Sequence, residues 1–378
     1  MVFGGGSKAM TMSRFVGFVV IFLFSLNFMV SMKSIRLRKA QLWMVLFVGF
    51  GCISLLWSVA PLVTIERIPT FLSLLLFYLA VGLFKPNTKD MDNLVLIIIA
   101  GGVITALIII YKFNILGETW MDSDRASFVL QENEINPNTI VYTLLLPFTL
   151  LVSQLIRIRS RWQNLVYFLG LLVIGYASFI IASRGGFLSI VAILFFYLLR
   201  GSKKNLKVLL PLLFFLIFLI IYGYSKNEIL FQRLTFQTDT FERARGVIWA
   251  GALILLPNYW LFGAGLDSFP TIYQGLTSFY WGPHSIYVGT LLELGIIGIF
   301  IMLTALFYHL KGIRRCHAKQ TETTFALKAT LWGMLVMGAS MDILYMKYFW
   351  LVLTLIVMLS SDITEPAKRK AQILMAKK

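Results

Sequence analysis

Apolar runs long enough to cross a bilayer recur along this chain, and they are apolar on every face. Residues 208–221 hold no polar side chain at all. A strand of a membrane barrel alternates apolar and polar residues over segments of about ten, so runs of this kind point to helices instead. With 58% hydrophobic residues, 13% charged residues and a mean hydropathy of +0.82, no water-soluble core could absorb the apolar content. The expected fold is all-α, a polytopic integral membrane protein crossing about eleven times, within a range of about ten to twelve.

Candidate spans fall at 13–32, 42–59, 69–84, 94–111, 138–156, 164–182, 187–199, 208–224, 285–308, 326–344 and 348–361. Five segments follow: an N-terminal appendage at 1–12, a transmembrane bundle at 13–224, an outward loop at 225–284, C-terminal spans at 285–361 and a basic tail at 362–378. The appendage, with Gly4-Gly5-Gly6-Ser7, lacks the basic start and cleavage site of a signal peptide and reads as disordered or added sequence.

Charge sets the orientation. The formal net charge is +17, which in a soluble protein would suggest nucleic acid. Here the basic residues sit in short clusters between apolar runs: Lys33, Arg36, Arg38 and Lys39; Arg157, Arg159 and Arg161; Arg200, Lys203, Lys204 and Lys207; Lys311, Arg314, Arg315 and Lys319. By the positive-inside rule these loops and the tail are cytoplasmic, membrane lipid is the implied partner and nucleic acid is not.

Cys52 in a span and Cys316 in a basic loop lie too far apart in the topology to pair. No Walker motif, dinucleotide fingerprint or His/Cys/carboxylate cluster is present, so neither metal nor cofactor is expected. The segments expected to face outward should be poor in basic residues, yet they carry Arg67, Arg125, Arg184, Arg233, Arg243 and Arg245. Arginine grips phosphate oxygens with a planar fork, so arginines gathered there suit an anionic ligand such as a diphosphate at the membrane face.

The longest outward segment contains an apolar stretch, 245–260, that suits a helix lying in the interface, with Trp249, Tyr259, Trp260, Tyr280 and Trp281 as boundary aromatics. Gly263-Ala264-Gly265 reads as a flexible break, and His284 stands where the chain enters its next span.

These motifs, in this order, resemble the bacterial O-antigen ligases and related polymerases. An Arg-Gly pair opens a span at Ser183-Arg184-Gly185-Gly186. An outer helix begins at Arg245 with Trp249 four positions on. A glycine-rich turn follows at 258–265, then a His before Glu293-Leu294-Gly295-Ile296-Ile297-Gly298. Asn136-Pro137-Asn138 opens a span after a loop bearing Arg125. His284-Ser285 stands where the family usually writes His-Asn. The resemblance covers most of residues 42–348.

The resemblance implies a metal-independent glycosyltransferase of the bacterial inner membrane. It would move a glycan from undecaprenyl diphosphate to an acceptor hydroxyl, lipid A core in a ligase or another lipid-linked glycan in a polymerase. It implies His284 as general base and Arg184 and Arg245 on the donor diphosphate; Arg125 and Arg67 join them as candidates by their outward placement, and Glu293, by its depth in the span, as a residue that orients a partner. Each has a plainer reading: a snorkelling anchor for Arg184, a helix cap for Arg245, a surface pair with Glu66 for Arg67, a belt residue for His284, and helix packing for Gly295 and Gly298. Glu293, about 13 Å along its span from His284, should face the bundle interior, and Asp342 shares that expectation. A flippase or transporter, with charges at the bilayer midplane and paired half-repeats, is the reading from another class.

Overall fold

The computed structural model describes residues 37–82, 84, 86–119, 126, 129–130, 133–157, 160–200, 203–226, 241–312 and 321–359. The span expected at 13–32, Arg125, Arg233, the basic loop at 313–320 and the tail lie outside them. The helices are α1 (Lys39–Ile53), α2 (Pro61–Gly82), α3 (Thr88–Asn114), α4 (Pro137–Ile156), α5 (Arg161–Ile180), α6 (Arg184–Leu199), α7 (Lys203–Lys226), α8 (Phe241–Tyr259), α9 (Phe269–Thr277), α10 (Ile286–Gly312), α11 (Thr321–Gly338) and α12 (Lys347–Leu359). Apart from the two-residue strands Val129–Leu130 and Asn133–Glu134, the regular structure described is helical.

Among the described residues six helices are long and apolar enough to cross a membrane; α6, α12 and residues 206–215 of α7 are shorter apolar pieces. This is a membrane protein by composition and by packing. Exposed Leu, Ile and Phe side chains such as Ile97, Leu107, Phe214 and Phe300 cover the outer helices, a surface that suits lipid rather than water. Inside, α4 is buried along nearly its whole length and α12 likewise, and the core they anchor draws residues from both halves of the chain. Helices approach closely where side chains vanish: a Cβ on Gly333 of α11 would lie 2.7 Å from Ile193 of α6.

Local sequence sets the helix starts. The Asn87, Asn136, Ser160 and Ser183 side chains accept backbone N–H groups of the first turns of α3, α4, α5 and α6. Pro137 takes the first helical position of α4, where its missing N–H costs nothing.

Contacts between helix ends define two poles. At one, Arg157 pairs with Asp92 at 3.0 Å, Arg200 pairs with Glu322 at 2.5 Å, and the Arg38 guanidinium reaches the Val357 carbonyl. At the other, a Cβ on Gly185 would lie 2.6 Å from Ser340 Oγ, and one on Gly338 would lie 2.8 Å from Ile286. The second pole carries the candidate site.

Several expected boundaries shift. The helix expected at 69–84 starts at Pro61, because a proline is welcome at a helix start and Pro69 is accommodated inside; Arg67 and Glu66 therefore lie on α2 and not in a loop. The span expected at 326–344 ends at Gly338, which leaves Asp342 in the turn before α12. The helix expected to open at Arg245 already begins at Phe241, so Arg245 stands one turn inside α8.

Candidate functional site

The site is built around a broken helix. Within α10, Gly295 adopts φ 66°, ψ −169°, a conformation open to glycine, and splits the helix into two pieces. A break inside an apolar bundle leaves backbone groups without partners, and each must find one. The turn after α8 supplies them. Ala264 N–H donates to Leu292 O at 2.8 Å and Gly265 N–H to Glu293 O at 2.9 Å, while Ile296 N–H donates to Trp260 O at 2.8 Å.

Gly263-Ala264-Gly265 is thus no flexible break. It is a buried wedge, with Gly263 at φ 78° and Gly265 at φ 106°. A Cβ on Gly265 would stand 2.8 Å from Ser58 Cα, and one on Gly263 would strike the Glu293 backbone. Gly295 likewise serves the kink rather than helix packing alone. Gly263→Ala should therefore cost at least about 2 kcal/mol of stability. Thermal unfolding of the purified protein checks this; an unchanged Tm would show that the wedge tolerates a side chain.

Glu293 is 5% exposed and accepts the Asp267 backbone N–H at 3.0 Å, with Phe269 N–H as a second backbone donor. Its carboxyl group thus takes up orphan backbone N–H groups at the N-terminal end of α9. Asp267, at φ 60°, takes the Arg67 Nε at 2.6 Å, and the Arg67 guanidinium lies 4.5 Å over the Tyr345 ring. Asp342 is the third carboxylate within electrostatic reach of Arg67 and Glu293. Arg67 is paired with Asp267 rather than with Glu66, and the group ties α2, α10 and the turn before α12 together.

His284 lies in the bend two residues before α10. Its φ of 47° lies in the left-handed region, which histidine enters more readily than most residues but still at a cost. Packing enforces it: Pro283 and Ser285 on either side are buried, and Trp249 Nε1 donates to Pro283 O at 3.2 Å. His284 itself reaches the surface. Loss of water around part of its ring, and next the positive charge of Arg245, lower its pKa below the ordinary imidazole value of about 6.5. The imidazole is therefore neutral at pH 7, and Arg245 is a near neighbour.

Arg184 is held from the other side. Ser183 Oγ accepts Gly186 N–H at 3.1 Å and donates to Asn138 Oδ1 at 2.7 Å, clasping the starts of α4 and α6. Asn136-Pro137-Asn138 is the cap of α4 that its sequence describes, and Asn138 also fixes the Arg184 end of α6. Gly185 then meets Ser340, while Gly338 meets Ile286, two residues beyond His284. Of the expected site residues, Arg184 and His284 thus stand on either side of the 338–340 turn, with Arg245 electrostatically close to His284, and half-buried Arg67 is linked to Glu293 through Asp267 beneath the wedge.

Sequence reading alone passed over Asp267, Tyr345 and the clasp of Ser183. The signal for Asp267 was a lone carboxylate after a glycine-rich turn in apolar surroundings.

The architecture is that of a helical membrane protein with a polar corner assembled on a broken helix. Residues 169–303, a stretch that contains Arg184, Arg245, His284 and Glu293, match the family model for O-antigen ligase. Over that stretch the chain is similar to the O-antigen ligase family, and the match supports a membrane protein of the ligase/polymerase type. A search of curated proteins matches none. Among solved structures, the chain is similar in fold to one chain of a peptidoglycan synthase complex studied for its coordination of polymerization and crosslinking. The TM-score is 0.51 and the identity 13%, over 85% of this chain and 96% of that one.

Proposed function

We propose that this protein transfers a glycan from undecaprenyl diphosphate to an acceptor hydroxyl at the outer face of a bacterial inner membrane, and that it is an O-antigen ligase whose acceptor is lipid A core. The observation that supports the reading is the corner itself: a neutral imidazole on a backbone held at positive φ, with Arg245 beside it and Arg184 across the 338–340 turn.

His284 takes the proton of the acceptor hydroxyl as that oxygen attacks the anomeric carbon. The bond from that carbon to the diphosphate oxygen breaks, its electron pair leaves with the diphosphate, and the configuration inverts. Arg184 and Arg245 stabilise the departing charge, as preorganised cations do in a low-dielectric site. Arg125 joins them as a further donor contact. Arg67 is the least available of the four for the donor, since its Nε is already committed to Asp267. Glu293 acts on catalysis through position, by fixing the wedge on which α9 and α10 are built.

Among the described residues no group of three or more His, Cys, Asp or Glu side chains could hold a metal ion. We expect turnover to persist in EDTA; abolition by chelation with recovery in Mg²⁺ or Mn²⁺ would overturn the arginine account of leaving-group stabilisation.

A polymerase would use the same donor chemistry with a lipid-linked glycan as acceptor. Gel analysis of lipid-linked glycans after gene deletion separates the two: long polymer left on the carrier supports the ligase, whereas single repeats support the polymerase. A transporter places its charges at the bilayer midplane between paired repeats. The corner at the helix ends favours transfer over transport.

A further inference from the structure

Four aromatic rings form a ladder from the interior to the surface beside His284. Phe269 stacks on Tyr273 with centroids 5.6 Å apart and planes at 14°, Tyr273 on Trp281 at 6.4 Å and 20°, and Trp281 on Phe279 at 4.9 Å and 18°. The inner two are wholly buried. The outer two are not, with Trp281 38% and Phe279 56% exposed.

The backbone builds the ladder deliberately. Ser278 ends α9 in the left-handed conformation at φ 65° and turns the chain back, so that Phe279 and Trp281 fold over the helix they have just left. Phe279 N–H reaches Thr277 Oγ1 at 3.4 Å, and that hydroxyl donates to Tyr273 O at 2.9 Å. On α8, Gly251 makes room for the Tyr273 ring, since a Cβ there would lie 2.7 Å from it. The root of the ladder belongs to the small core of Ile248, Ala252, Ala264, Phe269 and Leu292 that also carries Trp249. The support that orients the exposed rings is thus the one that holds Pro283 and His284.

Resting on the glycan-transfer reading, we infer that Phe279 and Trp281 form a stacking platform for a pyranose ring of the acceptor glycan. A pyranose presents a flat face of C–H groups that packs on an aromatic plane while its hydroxyls keep their water, and a ring already fixed by packing pays little entropy to bind it. Lipid tails would require apolar area but no common ring orientation, whereas these planes are held within about 20° of one another by buried neighbours. The acceptor is the occupant because the platform lies three residues before His284, which receives the acceptor's proton, while the donor diphosphate belongs to the arginines.

The test uses the full-length protein in lipid nanodiscs, with core oligosaccharide released from lipopolysaccharide by mild acid as the probe. Binding is read by saturation-transfer NMR and transfer by acceptor titration. Phe279→Ala and Trp281→Ala should each weaken probe binding and raise the acceptor KM roughly tenfold, with the donor KM and Tm unchanged. Trp281→Tyr should recover most of the loss. Unchanged acceptor KM and probe binding in both alanine variants overturns the platform, as does a rise confined to the donor KM or a fall in Tm alone. If the wild type binds the probe through these rings yet transfers nothing, the platform stands and the transferase reading fails; absence of both binding and transfer removes both.

Discussion

His284→Ala should reduce turnover by about a hundred- to ten-thousandfold, the range a positioned general base contributes, while donor binding persists. The variant should fold, because His284 reaches the surface and its left-handed backbone is enforced by Pro283, Ser285 and Trp249 rather than by its own ring. The pH profile is the sharper signature. Burial and Arg245 lower the imidazole pKa, so the base stays neutral, and activity stays full, down to a pH below the ordinary value of about 6.5. Removing the Arg245 charge lifts part of the penalty on the imidazolium. The acid limb of the residual activity in Arg245→Ala should therefore move to higher pH. An Arg245→Ala limb that stays in place would separate His284 from that charge. Loss of donor binding in His284→Ala, with the wild-type pH profile retained, would make His284 a donor ligand and pass proton removal to another group.

The second large effect belongs to the arginines. Arg184→Ala and Arg245→Ala should each lower kcat/KM for the lipid-linked donor by an amount equivalent to about 1.5–3 kcal/mol, the worth of a charge-assisted phosphate contact. Lysine should restore only part, since it keeps the charge without the planar fork. Steady-state kinetics on purified variants decides it: wild-type efficiency in either alanine variant removes that arginine from the site. For Arg184 the supporting clasp gives an internal comparison. Ser183→Ala removes both the helix cap and the bond to Asn138, and a partial loss of donor efficiency is expected there.

The helical membrane architecture is legible in the sequence because bilayer physics leaves a sequence few choices. Runs without polar residues form helices, and of the arginines expected outside the cytoplasmic loops Arg184 and Arg245 stand near the N-terminal ends of α6 and α8. What stayed hidden is tertiary in origin. Gly295 reads as helix packing in sequence, and its part in a kink emerges only when residues 260–265 fill the broken backbone. Gly263-Ala264-Gly265 looks flexible because glycine permits many conformations, whereas here two glycines are chosen for positive φ in a tightly packed wedge. Arg67 seemed tied to its sequence neighbour Glu66, yet its partner is Asp267, 200 residues away. Spacing along a chain reports neighbours on one helix, and says nothing of pairs made across helices.

The central claim is that this chain alone moves a glycan off a polyprenyl diphosphate. Purified protein is combined with undecaprenyl-diphosphate-linked glycan and lipid A core, without nucleotide sugar or divalent cation, and both products are followed by mass spectrometry. Glycan joined to the lipid A core with equal release of undecaprenyl diphosphate is the predicted result. Donor that remains intact, or that crosses a liposome bilayer without losing its glycan, would contradict it.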